Sequence, residues 1–160
     1  MPCYLFTYHA YGSWMPDRAR GFVKRKQGIL PRDVSMAANY QAAMQDTAVV
    51  FDDAVQELIL DAILASQEPQ SFDPYFVSAD ISHVHLLTGW HDERTWLRMR
   101  STIKGSVTRH LNSQLSCREW FVEGGSRKRV RDRAHFEYLV TTYLPRHDGW
   151  KWSREKGRHR

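Results

Sequence analysis

Two histidines separated by one residue stand in the string Ser82-His83-Val84-His85-Leu86-Leu87. On an extended strand alternate side chains share a face, so both imidazoles would project together and Val84 the other way. Two imidazoles on one rigid sheet face can grip a single cation. The chain has 8 histidines in 160 residues, so such a pair arises easily by chance. Taken alone, it more readily describes two hydrogen-bonded structural histidines.

A second group lies in His135-Phe136-Glu137-Tyr138-Leu139-Val140-Thr141-Thr142-Tyr143-Leu144-Pro145-Arg146-His147. A tyrosine hydroxyl is a possible covalent nucleophile for phosphoryl transfer. With a pKa of about 10 it is a poor one at neutral pH. A neighbouring cation would lower that barrier and polarise a phosphate. Tyr143 and His147 have the i, i+4 spacing that places side chains one turn apart on one helix face. His147 could then join His83 and His85 as a third ligand. Pro145 lies between them, so an irregular turn is expected there. Tyr138 precedes Tyr143 by five positions and, at ~100° per residue, is expected to face elsewhere. One of the two tyrosines then packs in the core or its rim. Without the histidines, both read that way.

Cationic residues form the third group. Arg127, Lys128, Arg129, Arg131 and Arg133 lead into the tyrosine segment. On a strand, Arg127, Arg129 and Arg131 would share a face and could neutralise phosphates beside the tyrosine. Lys104, Arg109 and the early Arg18, Arg20, Lys24, Arg25 and Lys26 add further candidates. Tyr11, Trp14 and Phe22 could stack the bases of an unpaired strand. The ordinary reading of these charges is a solvated face, and of these aromatics core packing. The formal charge of +5 and pI near 9.4 favour an anionic partner, nucleic acid first.

Several elements must position these groups. Cys3 to Tyr8 read as a strand, followed by turn chemistry at Tyr11 to Asp17. Arg18 to Arg32 look like a long surface loop, and Ser35 to Thr47 like a helix. Residues from Asp52 to Ser66 repeat Val55, Leu58, Ile59, Ala62 and Ile63 at helical spacing behind an Asp cap. Tyr75 to Ala79 and His83 to Thr88 form a hairpin across Asp80-Ile81-Ser82. Glu93 to Leu115 is the longest helix, with Trp96, Met99, Ile103, Val107 and Leu111 on one face. Short strands are expected at Glu119 to Val122 and Arg127 to Val130. A last helix runs from an Asp132 cap to about Leu144, where Pro145 stops it. This order predicts an α+β fold, a ferredoxin-like or RRM-like antiparallel sheet with helices packed on one face.

The length and the 42% hydrophobic fraction suit one compact domain with a core rather than a disordered chain. The expected domain spans residues 1–152, and residues 153–160 read as a basic, frayed tail. Two cysteines, Cys3 and Cys117, make neither a disulfide framework nor a zinc knuckle, which fits a reducing cytoplasm. Neither a signal peptide nor a membrane-spanning stretch is expected.

The motifs together resemble the HUH single-tyrosine transposases, in the branch associated with repetitive extragenic palindromes. The resemblance rests on His83-Val84-His85-Leu86-Leu87, on Thr7 to Trp14 followed by Asp17 to Gly21, on Ile103-Lys104, and on Trp120 to Ser126. It covers roughly residues 3–150. It implies a ferredoxin-like sheet, and Mg²⁺ or Mn²⁺ held by His83, His85 and a third polar ligand. It also implies a helical tyrosine that forms a 5′-phosphotyrosine and releases a 3′-hydroxyl. The implied substrate is single-stranded DNA beside a short hairpin, cut by a monomer or a homodimer. In that family the third ligand is often Asn or Gln four residues after the tyrosine, a place that His147 takes here. Imidazole also ligates metals. Tyr143 is the preferred nucleophile. Tyr138 is the alternative, and the residue four positions after it, Thr142, is a poorer ligand. Two rival functions remain: a non-catalytic single-stranded DNA- or RNA-binding module derived from a transposase, and a metal-dependent phosphodiesterase without a covalent step.

Overall fold

The computed structural model describes residues 1–13, 22–24, 27–44 and 47–160. Six strands form one antiparallel sheet in the order β6-β1-β5-β4-β7-β8. These strands are β1 (Cys3–His9), β4 (Asp73–Ala79), β5 (His83–Gly89), β6 (Ser126–Arg129), β7 (Lys151–Ser153) and β8 (Gly157–His159). The α+β fold class follows from this sheet and its helices. The expected hairpin is present: β4 pairs with β5, with one irregularity between Pro74 and Phe76.

Strand alternation sorts the core into two layers. Tyr4, Phe6, Tyr8, Val77, Val84 and Leu86 point to one face. Two helices cover that face, α2 (Asp53–Ser66) and α3 (Trp96–Gln114). They bury Ile59, Ile63, Met99, Ile103 and Leu111 against it. Side-chain oxygens of Asp52 and Thr95 accept the backbone N–H groups of Val55 and Arg98, which otherwise lack helical partners. The Thr95 cap starts α3 three residues later than the periodicity suggested, because Arg94 instead pairs with Asp92.

The opposite face carries Leu5, Phe76 and Leu87, and the last helical segment lies on it. The two long helices therefore share one face as expected, while the third covers the other. That segment begins as α4 (Arg133–Tyr138) behind an Asp132 cap. It widens to a π-turn over Leu139–Tyr143 and tightens to a 3-10 turn over Leu144–Arg146. Pro145 has no N–H to donate to a preceding carbonyl, and the Leu144 N–H bonds back to the Leu139 carbonyl, a π-type bond. Leu139 and Leu144 are fully buried. Each such side chain contributes about 1.5–3 kcal/mol, enough to hold an irregular helix in place.

Three expectations change. The surface loop from Arg18 to Arg32 contains a small hairpin, β2 (Phe22–Lys24) with β3 (Gly28–Leu30), and leads to α1 (Val34–Ala43). Trp14, Arg18, Arg20, Arg25 and Lys26 lie outside the described residues. The 119–122 strand is reduced to one bridge, Ala10 with Phe121, flanked by backbone bonds to Tyr11 and His9. The supposed frayed tail is ordered: β8 pairs with β7, and Arg158 and Arg160 bond to Asp61, Glu57 and Asp53 of α2. Its charges are anchored by acids that lie far away in sequence.

Candidate metal centre

His83 and His85 occupy the first half of β5 and point to the face crossed by the last helical segment. Register explains their surroundings. Thr7 is directly opposite His85 on β1, and Ser78 is opposite it on β4. Thr7 Oγ1 lies 2.8 Å from His85 Nδ1, and Ser82 Oγ lies 3.1 Å from His83 Nδ1. His147 sits just beyond the 3-10 turn, with Nδ1 3.5 Å from an Asp80 carboxylate oxygen. Each Nδ1 is thus engaged by a neighbour, which favours Nε2 as the atom each ring would offer a cation. Such outer partners fix tautomer and ring orientation in metal sites.

The three rings converge. Their centroids are 4.7 Å apart for His83 and His85, 5.2 Å for His83 and His147, and 4.6 Å for His85 and His147. One ligand nitrogen from each lies within 4.8 Å of the others, so the group could hold a metal ion. A cation about 2.1 Å from each nitrogen would need them about 3–3.4 Å apart, so modest ring rotation would close the site. His85 is buried, and burial, reinforced by His83, His147 and His9, holds its pKa down at about 3. A neutral imidazole is the ligating form.

Tyr143 packs beside this group, its ring 5.5 Å from His85 and 5.5 Å from His147. Burial, and next the adjacent Tyr138, raise its pKa. Without a cation it is a protonated phenol at neutral pH. Tyr138 is more exposed, and its ring lies 6.5 Å from Tyr143. The expectation that the two face apart is corrected. A π-turn brings residues five apart onto one side, where an α-helix would rotate them away.

The cationic candidates divide between the two faces. In β6, Arg129 is opposite Tyr4 and Arg127 opposite Phe6, whereas Lys128 is opposite Leu5. Arg127 and Arg129 therefore project to the α2/α3 face, away from the histidines, and Lys128 to the histidine face. This corrects the expectation of an arginine row beside the tyrosine. The Arg127 guanidinium lies 4.0 Å from the centre of the Trp96 ring. Arg131 follows β6, exposed, and its backbone N–H donates to His135 Nδ1. Lys104 is half-buried and donates to the carbonyls of Val122 (3.1 Å) and Gly124 (3.4 Å). Burial, followed by Arg100, lowers its pKa. Arg100 bonds the next carbonyl, that of Gly125. Together they clamp the loop entering β6. Gly125 itself must lack a side chain, because a Cβ there would lie 2.7 Å from the Thr7 carbonyl oxygen.

Thr7, Asp80 and Ser82 were invisible as site residues in the sequence. The strand register that brings Thr7 to His85 is set by pairing across 78 residues of chain. Cys3 and Cys117 are free thiols. Among the described residues, no helix is long and apolar enough to cross a membrane.

No model of a known protein family matches the chain, and no curated protein matches it. Among solved structures, a Deinococcus radiodurans R1 protein described as a candidate transposase is 12% identical, with 89% of this chain and 88% of that chain covered and a TM-score of 0.51. A REP-associated tyrosine transposase, solved bound to a REP hairpin, is 10% identical with 87% of this chain covered and a TM-score of 0.48. This chain spans 62% of the length of that second protein. At such identities the likeness is one of fold alone: the α+β architecture is one that the Deinococcus radiodurans R1 protein also adopts.

Proposed function

We propose that the protein is a transposase-like enzyme that nicks single-stranded DNA and transfers the cut strand through a 5′-phosphotyrosine. The observation that carries this reading is the convergence of His83, His85 and His147 beside Tyr143. The fold shared with a transposase-described protein supports it. The three imidazoles fit a divalent cation: they are close together, one is neutral by burial, and each is oriented by a second partner. Of Mg²⁺ and Mn²⁺, Mn²⁺ matches nitrogen donors better, since Mg²⁺ prefers oxygen. Bound there, the cation would supply Lewis-acid polarisation of the scissile phosphate.

The chain's own residues do the rest. Thr7, Ser82 and Asp80 orient the imidazoles. Tyr143 Oη attacks phosphorus: the new bond is Oη–P, the broken bond is P–O3′, and the departing 3′-oxygen takes up a proton as the phenol loses one. The bond energy stays in the phosphotyrosine, so a second strand's 3′-hydroxyl can reverse the step. Lys128 supplies a cation on the same face, and Arg127, Arg129 and Arg131 supply others around the β6 edge. DNA with a hairpin beside the cleavage point is the proposed substrate. The proposed catalytic domain extends beyond residue 152 to include β8, which pairs with β7 in the same sheet, and is active as a monomer or a homodimer.

The test is covalent trapping. Protein, Mn²⁺ and hairpin-bearing single-stranded oligonucleotides are mixed and resolved under denaturing conditions. The expected result is a metal-dependent shifted band, present in Tyr138→Phe and absent in Tyr143→Phe. An adduct that persists in Tyr143→Phe and disappears in Tyr138→Phe reverses the nucleophile assignment. No adduct, with metal-independent binding intact, supports the binding-module alternative.

A further inference from the structure

We propose that Lys151 is a positioning residue for His147, which makes the carboxy-terminal β7–β8 hairpin part of the metal centre's scaffold. This inference rests on the reading that His83, His85 and His147 hold a cation. Strand alternation puts Lys151 on the histidine face. It is opposite Ser78, which is opposite His85, which is opposite Thr7. The four residues form one cross-strand row through the site. Lys151 is only 6% exposed. Burying an ammonium is costly unless hydrogen bonds replace its water. Here Nζ donates to the carbonyls of His147, at 2.6 Å, and Gly149, at 2.9 Å.

His147 needs such a hold. Its backbone is extended, past the last helical turn, so no following turn fixes its carbonyl. A cation beside the terminal carbonyls of a helical segment also meets the negative end of its dipole. The next residues have further contacts besides the Lys151 bond to Gly149. A Cβ on Gly149 would lie 1.8 Å from the Ala79 carbonyl oxygen and 2.5 Å from Gln56 Oε1. The Trp150 N–H donates to Gln56 Oε1, and the Ala79 N–H to the Trp150 carbonyl. Asp80 holds the His147 ring while Lys151 holds its main chain. Ring and backbone are thus fixed by different elements, β7 and the β4–β5 turn.

The experiment is a double-mutant cycle read as Mn²⁺ affinity of the full chain, from the free-Mn²⁺ paramagnetic resonance signal. Its four proteins are the wild type, Lys151→Met, His147→Ala and the double variant. Lys151→Met should weaken Mn²⁺ binding about 10- to 100-fold, the usual loss for an outer partner of a ligand. In the His147→Ala background the same change should have no further effect, because Lys151 acts through the ligand already removed. A loss under about twofold, or an equal loss in both backgrounds, overturns the role. Lys151→Gln keeps an N–H donor without the charge and should give an intermediate loss. It also serves where the methionine variant does not fold, and wild-type affinity in it overturns the role. Failure of the metal reading shows differently: the wild type takes up no Mn²⁺, or His147→Ala binds like wild type, and the positioning role falls with it.

Discussion

Acidifying the metal-free protein should destabilise it through one residue, His85. In the unfolded chain its imidazole titrates near 6.5, whereas in the fold burial and the neighbouring histidines depress that to about 3. Between these values the unfolded state binds the extra proton and the native state does not. Stability is therefore intact above about pH 6.5 and is lost as pH falls toward 3, at about 1.4 kcal/mol per pH unit. From pH 6.5 to pH 5 the loss attributable to His85 is about 2 kcal/mol. That is a large share of the 5–15 kcal/mol typical of a domain. The assay is urea unfolding at half-unit pH steps, comparing wild type with His85→Asn. Asparagine places a polar atom near the Nδ1 position, within reach of Thr7, but does not titrate. The difference between the two curves should change by about 2 kcal/mol across that interval, with wild type losing more. Parallel curves would refute the claim that the buried imidazole is held neutral. A steeper loss in the asparagine variant would reverse its sign.

Other consequences can be checked with the same protein. Gly149→Ala should cost about 3 kcal/mol or more in chemical denaturation, because the new methyl meets the Ala79 carbonyl. Gly124→Ala, at φ +80° with open space around it, should cost only about 1–2 kcal/mol of backbone strain, and equal losses would contradict the packing of the 147–150 segment. Lys104→Met should lower stability by about 1–3 kcal/mol by freeing two carbonyls and leave the salt dependence of single-stranded DNA binding unchanged. Lys128→Ala should do the opposite, reducing the slope of log affinity against log salt by about 0.7. A reduced slope in the Lys104 variant would mean that its ammonium reaches phosphate despite its intramolecular bonds. Thr7→Val should weaken Mn²⁺ binding about tenfold or more in a titration by loosening the His85 ring, and unchanged affinity would remove Thr7 from the site.

Local patterns in the sequence determined a good deal. Period-two alternation in β5 put His83 and His85 on one face. Period-3.6 apolar repeats set α2 and α3. Asp52 and Asp132 marked helix starts, because capping acts within a few residues, whereas the last helical segment does not stop at Pro145 but runs through it to Arg146. Those signals are short-range, so they can be read without the fold. His83, His85, His147 and Tyr143 were legible as candidates for the same reason, and the family resemblance joined them into one expected chemistry. What the chain could not reveal locally depends on which strand pairs with which, and in what register. Pairing of β1 with β5 brings Thr7 to His85. Pairing of β6 with β1 turns Arg127 and Arg129 to the α2/α3 face and Lys128 to the histidine face. The π-turn that gathers Tyr138 and Tyr143 follows from burying Leu139 and Leu144 on the sheet, a tertiary demand that overrides helical phase. Residues 153–160 read as a loose charged tail because their stabilising partners, Phe76 and the acids of α2, lie some 75 to 110 residues earlier. Backbone hydrogen bonding and charge pairing at that separation leave no periodic trace in sequence, and only the folded sheet decides them.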